Sequence, residues 1–396
     1  MQEPMKKITL SLIDPPESVF EVLRKYETEM MTQVKVNSLS WDESRKSLGD
    51  YALFHSGPDV SGIGIHLLDH FFHMNVLRPF SSNELKKIGD KKVFPKANWE
   101  EVMLGGEAYA IPWSTDVRVV FYRRDFFAQL GIDEDTAFST VSNMQNTLDK
   151  LQSLDGISPW VMPTAKELTP MQNMAMWVWH KGGSFMDATG RHPQFMEPDA
   201  VAGMKQYFSV YRPAIWPEAQ SLSEPESAQL FRDGKAAAVL SGSWLLHPGA
   251  QFEPIVKENI GMAALPVPSF VGAQSLVIWR YAHNEKEAVH LLQFLCKQET
   301  QFELFVNTSY LPGRLDVLEN PDFFKNEKLS QAYLNALKTG RGFKAKYMWG
   351  LAEDRISAAI YLIWQRLFAD PDLDVEKTIK KIMKPVSIQL ERMMNP

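Results

Sequence analysis

Three histidines and a small set of tryptophans are the residues whose types and spacing could do chemistry. His66, His70 and His73 follow at intervals of four and three, with Asp69 among them. On a helix this spacing puts the imidazoles on one face, where a metal could bridge two of them. Metal sites usually also draw ligands from further along a chain. A solvated, histidine-rich face is therefore the preferred reading, and no metal is assigned. His66 alone is retained as a candidate, because it opens the helix beside strand ends. Trp41, Trp113 and Trp244 each stand next to polar or small residues: Asp42; Ser114 and Asp116; Gly242 and Ser243. An indole packs on the C–H face of a sugar while Asp, Arg, Asn or Gln bind its hydroxyls. These three are candidate sugar contacts. Trp177, Trp179, Trp279 and Trp364 sit inside helix or strand patterns and are assigned to the core.

Enzymatic signatures are sparse. No Gly-x-Ser-x-Gly elbow, P-loop, HExxH or GxGxxG occurs, so lipases, NTPases, zincins and dinucleotide enzymes lose their usual marks, and no cofactor is expected. Glycoside hydrolysis needs only two carboxylates. Asp14, Asp42, Glu107 and Asp116 are available, but nothing in the spacing selects a pair from an acidic chain. Cys296, the single cysteine, lies in LLQFLCKQE among apolar residues at helical spacing and reads as a buried, inert thiol.

The chain has 396 residues, 45% hydrophobic and 23% charged, with a net charge of −6. At roughly 150 residues per domain, two domains are expected. The acidic balance argues against nucleic acid as the main partner. No run approaches the ~18 apolar residues of a membrane span. MQEPMKK at the start does not read as a signal peptide. The chain is either cytoplasmic or has had a targeting segment removed.

The elements that must position these residues begin as strand–helix units. Lys7–Ile13 alternates like a strand and Pro15-Pro16 open a helix; Gln33–Asn37 is a second strand before a helix near Trp41-Asp42. Pro58-Asp59-Val60 starts a third through Ile63, before a helix over roughly Ile65–Val76. This rhythm predicts a mainly parallel sheet covered on both faces, with a ligand site beyond the carboxyl ends of the strands. Asp14, Trp41, Asp42 and His66 all fall there. Val117–Tyr122 is a further strand, joined to Tyr109–Pro112 through Trp113–Asp116. Helices are expected over Thr140–Leu154, Leu168–Lys181 and Asp199–Tyr211, and from Ser223, with capping-box spacing, to Gly234. Strands follow at Lys235–Leu240, Ile260–Pro268 and Ser275–Tyr281, then a helix capped by Asn284, with nearly continuous helix from Leu329.

Five segments in order resemble the solute-binding components of bacterial ABC sugar importers, the extracellular family typified by maltose-binding protein. They are Pro58-Asp59-Val60 with Leu77-Arg78-Pro79, YAIPWSTDVRVVFYRRDFF (109–127), FRDGKAAAVLSGSWLL (231–246), LVIWRYAHNEKEAVHLLQFL (276–295) and Leu311-Pro312-Gly313-Arg314. Val239 stands where that family usually has Met.

The resemblance implies an α/β, two-lobed periplasmic-binding-protein fold (type II), each lobe a mostly parallel sheet flanked by helices, with a hinge crossed three times. Lobe one would be 1–112 and 266–312, and lobe two 113–265 and 313–396. Sugar would lie between lobes that close on it. The resemblance places Asp14, His66, Asp116 and Trp244 at ligand contacts, adds Trp41 and Trp113 as cleft aromatics with Asp42 and Arg118 beside them, and matches Trp349 more loosely. His66 stands where an acid is common, and Asp14-Pro15-Pro16 is an unusually stiff first loop. The implied protein is a monomeric, non-enzymatic carbohydrate binder, periplasmic or at the cell surface once its export signal is removed. It would deliver its ligand to an ABC permease. A polyamine-type binder and a carbohydrate-active enzyme are the alternatives.

Overall fold

The computed structural model describes residues 6–89, 91–306, 308, 310–323, 327–343 and 349–395. In chain order the described strands are β1 (Lys6–Ile13), β2 (Thr32–Leu39), β3 (Val60–Gly64), β4 (Met103–Leu104), β5 (Glu107–Ala108), β6 (Ile111–Val117), β7 (Val119–Arg123), β8 (Ala238–Ser241), β9 (Ile260–Ala263), β10 (Val271–Ile278) and β11 (Leu311–Pro312). Two compact units divide the chain: residues 1–116, 271–330 and 342–345 in the first, 117–270, 331–341 and 346–396 in the second.

The first unit is built on a six-stranded sheet in the order β11-β6-β10-β3-β1-β2. Its centre is apolar because β1 alternates: Ile8, Leu10 and Leu12 are fully buried. β1 pairs in parallel with β2, Ile13 opposite Leu39, and in parallel with β3. The sheet is mixed and not mainly parallel, since the returning β10 runs antiparallel to β3, and β11 antiparallel to β6. The strand–helix rhythm shows only the first three strands, whereas β10 arrives from far along the chain.

Asp59 ties this unit together. One carboxylate oxygen accepts from Thr9 N and Oγ1 at 2.9 and 2.7 Å; the other accepts from His283 N and Asn284 N at 2.9 and 3.1 Å. Burial works to raise this carboxyl, and these hydrogen bonds outweigh it, so the group is held below the ordinary Asp range. The start of the helix Glu285–Leu295 is met by Asp59 and not by the Asn284 side chain, which makes no cap bond.

The second unit has a three-stranded sheet, β8-β7-β9, in which β7 is antiparallel to both neighbours. Parallel bridges at Ser158–Ala236 and Val161–Val239 extend it beyond β8. The helices Thr169–His180, Pro198–Tyr211, Trp349–Ala369 and Val375–Met394 pack on one another. Trp177 meets Tyr211 edge-on at 5.6 Å and Trp364 meets Tyr207 at 5.5 Å. Trp177, Trp179, Trp279 and Trp364 are all buried, as their patterns predict. Cys296 is buried as well, and burial pushes its thiol up to about 12.

Compact packing groups some boundary residues with the first unit. Residues 113–116 belong with the first unit because they continue β6, and 313–330 also stay there, with the short helix Leu315–Leu318 packed on the helix Gln298–Phe305. The helix expected over Ile65–Val76 is a 3₁₀ turn, Ile65–Leu67, followed by a short helix, Leu68–His73.

Candidate functional site

In the first unit, the carboxyl ends of β1, β2 and β3 lie side by side. Asp14 follows β1, Ser40-Trp41 follow β2, and Ile65-His66 follow β3, so parallel pairing alone brings three candidates to one edge of the sheet. Asp14 is exposed at φ 40°, a left-handed conformation that Asp tolerates better than most residues. Its amide donates to Leu39 O at 2.9 Å and its carbonyl accepts from Tyr310 Oη at 3.0 Å. Ser40 caps the next helix in a reciprocal box with Glu43, which fixes Trp41 in the first turn. Trp41 is 46% exposed, a large indole left in solvent. His66 packs on the same spot. A Cβ placed on Gly64 would lie 2.6 Å from His66 Cε1 and 3.2 Å from Trp41 Cζ3, so both rings converge on one α-carbon. The side chain of Asp42 lies outside the described residues.

The three histidines do not belong to one regular α-helix. His66 is in the 3₁₀ turn, apart from His70 and His73, and His73 Nδ1 lies 2.9 Å from Asp69 O within its own helix. Among the described residues, no three His, Cys, Asp or Glu side chains group as metal ligands.

Two of the tryptophans considered for the site are buried. Trp113 is 1% exposed, because it lies mid-strand in β6 and not in a connecting loop; its ring meets Phe305 edge-on at 5.5 Å. Trp349 is 4% exposed in the first turn of its helix. Asp116, half-buried, closes the first unit on β6.

In the second unit another set gathers at one sheet edge. β8 ends at Ser241, directly opposite Val119 of antiparallel β7, so Gly242-Ser243-Trp244 and Arg118 are brought to the same end. The segment through Val161 runs parallel to β8, and beyond it Thr164 N and Ala165 N both donate to Leu222 O at 2.9 Å, just before the helix that carries Glu224. Trp244 is half-buried, with the Arg118 guanidinium carbon 4.4 Å from its ring centroid. Arg118 is 3% exposed and held from several sides. Nη2 donates to Gln172 Oε1 at 2.8 Å, Nη1 is 3.7 Å from Glu224 Oε1, and its backbone exchanges bonds with Ser269 Oγ. Thr169 Oγ1 donates to Glu224 Oε2 at 3.1 Å, and Glu224 N donates to Glu167 Oε1 at 3.1 Å. Burial, then the negative charge of Glu224, pushes the Glu167 carboxyl up to about 7.

Glu167, Gln172 and Glu224 are the residues that reading the sequence misses. The one signal near them, the Ser223–Glu226 box, marks a helix start and says nothing of what Glu224 faces. Among the described residues, no helix is long and apolar enough to cross a membrane.

Trp244 thus stands half-buried at the end of β8 with the Arg118 guanidinium over its ring, an aromatic surface with charged and amide groups behind it that suits ligand binding. The chain belongs to the bacterial extracellular solute-binding protein family, whose model matches residues 22–331. It is 22% identical over 353 residues to the maltodextrin-binding protein MdxE of Bacillus subtilis (strain 168), covering 84% of this chain and 79% of that one. It is 19% identical to the diacetylchitobiose binding protein DasA of Streptomyces coelicolor, covering 81% and 75%. Among solved structures, the sugar-binding protein MalE of Xanthomonas citri matches with a TM-score of 0.82 at 18% identity, covering 98% of each chain. These matches give the chain the two-lobed binding-protein fold.

Proposed function

We propose that this protein is a monomeric carrier of a neutral carbohydrate outside the cytoplasm, in the periplasm or at the cell surface, that hands its ligand to an ABC permease. It is not an enzyme. The observation that carries the reading is Trp244, a partly open indole at a strand-end edge among hydrogen-bonding side chains. The Trp41 and His66 rings on Gly64 are the corresponding surface of the first unit. Relatives named for maltodextrin and diacetylchitobiose binding support a carbohydrate ligand. So does the cation already lying on the Trp244 ring, which makes that ring a poorer partner for a polyamine and leaves it suited to the C–H face of a sugar. Of the residues first considered, Asp14 and Asp116 remain candidate hydroxyl acceptors, while Trp113 and Trp349 act through the packing beneath.

Micromolar capture corresponds to about −8 kcal/mol. That is within reach of two aromatic stacks and several satisfied hydrogen bonds. A thermal-shift screen against mono-, di- and oligosaccharides and spermidine tests the reading, since a ligand at a hundred times its Kd adds about 2.7 kcal/mol of stability. Stabilisation by a sugar and not by spermidine is the expected result. Stabilisation by spermidine alone, or chromatographic turnover of the sugar, would overturn it.

A further inference from the structure

Trp244 is held on two sides by residues that cannot themselves stack on a sugar. The first is Gly242. A Cβ there would overlap Cζ3, Cη2 and Cε3 of the indole, so the ring occupies the space that a side chain at 242 would need. The backbone at Gly242 has φ −93° and ψ −173°, a conformation any residue adopts. Glycine is required here by the ring and not by the chain's path. The second is Arg118, whose guanidinium lies 4.4 Å from the ring centroid and covers one face. A free arginine would sample many rotamers. This one is buried, with Nη2 hydrogen-bonded to Gln172 at 2.8 Å and Nη1 in a looser ion pair, 3.7 Å from Glu224 Oε1.

We propose that Arg118 and Gly242 are positioning residues for Trp244, with Gln172 and Glu224 orienting the guanidinium, so that one indole face is closed and the other is presented to the ligand in a single pose. The proposal rests on reading Trp244 as the sugar platform. Its consequence is specific. An indole free to rotate must be ordered when the ligand stacks on it, which weakens binding; an indole already clamped carries no such cost. Planarity matters as well as charge. A lysine at 118 keeps the cation but loses the flat fork that bonds Gln172 while lying on the ring.

The test uses the full chain labelled with 5-fluorotryptophan, the Trp244 resonance being assigned by its disappearance in Trp244→Phe. Gly242→Ala, Arg118→Lys, Arg118→Met and Gln172→Ala are compared with wild type by ¹⁹F NMR, by melting temperature and by calorimetry with maltotriose. The expected result is a Trp244 resonance that shifts, broadens or splits in Gly242→Ala and in both Arg118 variants, and less so in Gln172→Ala. Maltotriose affinity should fall by about tenfold in parallel, the size of one aromatic stack lost. Gly242→Ala keeps every polar contact of Arg118, so it reads ring pose even if the Arg118 variants fold poorly. An unchanged Trp244 resonance in Gly242→Ala and Arg118→Lys overturns the proposal. If Trp244→Ala weakens maltotriose binding while those resonances stay put, the platform reading stands and the clamp falls. If Trp244→Ala leaves maltotriose affinity unchanged, the platform reading itself falls. If wild type binds no maltotriose, the fluorine resonances alone decide the clamp.

Discussion

Trp41 and His66, twenty-five positions apart, rest on the same α-carbon, that of Gly64. Neither helix propensity nor local spacing brings them together. The parallel pairing of β1 with β2 and β3 does so, because it sets the ends of three strands at one edge. Gly64 ends β3 in ordinary extended backbone, φ −66° and ψ 134°, so alanine is compatible with the chain's path but not with the rings. Gly64→Ala should therefore displace His66 first, since its ring is the nearer, and Trp41 with it. Sugar affinity should drop by about 1 kcal/mol, the loss of one aromatic contact. The melting temperature should change little, because Trp41 is exposed and His66 only half-buried. Calorimetry and a melting curve on this variant check both halves, and a large stability loss with unchanged affinity would mean that the two rings serve the fold.

Trp244 and Trp179 should behave oppositely. Trp244→Ala is expected to cost roughly 1–3 kcal/mol of binding, in the range of interface hot spots, with little loss of stability. Trp179 is buried, stacked at 6.4 Å on Phe270 and approached by the Arg341 guanidinium at 5.5 Å. Its truncation is expected to cost roughly 3–5 kcal/mol of stability, as large-to-small core changes do. Denaturant melts and titration calorimetry on both variants separate the two roles.

The contrast shows what was legible. Trp177, Trp179, Trp279 and Trp364 could be assigned to the core because each repeats with apolar neighbours at a helix or strand period, and burial follows period. Asp14, Trp41 and His66 could be placed at the carboxyl edge of one sheet because strand–helix alternation implies parallel strands, and parallel strands align their carboxyl ends. Trp113 misled for a related reason. Pro112 and the polar Ser114-Thr115-Asp116 disguise β6 as a loop, although the strand is buried along almost its whole length and its alternation is hidden. The contacts of Arg118 were not legible at all. Its partners, Gln172 and Glu224, lie 54 and 106 positions away on separate helices, and no periodicity links a strand end to two distant helix starts.

Asp59 offers a stability test independent of any ligand. Its two oxygens take four hydrogen bonds that join β1, the start of β3 and the segment before the helix Glu285–Leu295. Asp59→Asn removes the charge and one acceptor, and should cost roughly 1.5–3 kcal/mol, the range for hydrogen bonds to charged groups. The sign with pH follows from the lowered carboxyl. Ionised Asp59 stabilises the fold fully above the unfolded Asp value near 3.9, and the contribution is lost as pH falls through the lower folded value. Urea melts across pH should therefore show a gap between wild type and variant that is full at neutral pH and narrows progressively below about pH 4. A gap constant with pH would mean that geometry, not charge, holds Asp59 in place.

Glu167 should give the opposite pH dependence. Burial and the neighbouring Glu224 raise its carboxyl to about 7, well above the value near 4.3 of an unfolded Glu. Between those values the folded chain holds a proton on Glu167 that the unfolded chain has released. The folded state is then favoured by low pH, so this group's contribution is full below about 4, declines as pH rises through the window, and is gone above about 7. Glu167→Gln keeps the shape, carries no titrating proton and can still accept from Glu224 N through its amide oxygen. Its stability should therefore be flatter than wild type between pH 5 and about 7 and should exceed it at the upper end, where wild type carries two adjacent carboxylates. Urea melts of both proteins across that window decide the matter, with Glu224→Gln as the companion variant. Removing the Glu224 charge should bring the Glu167 titration closer to that of an ordinary Glu. If the Glu167→Gln and wild-type curves run parallel throughout, Glu167 does not titrate in this window, and its carboxyl is more open to solvent than its burial beside Glu224 implies.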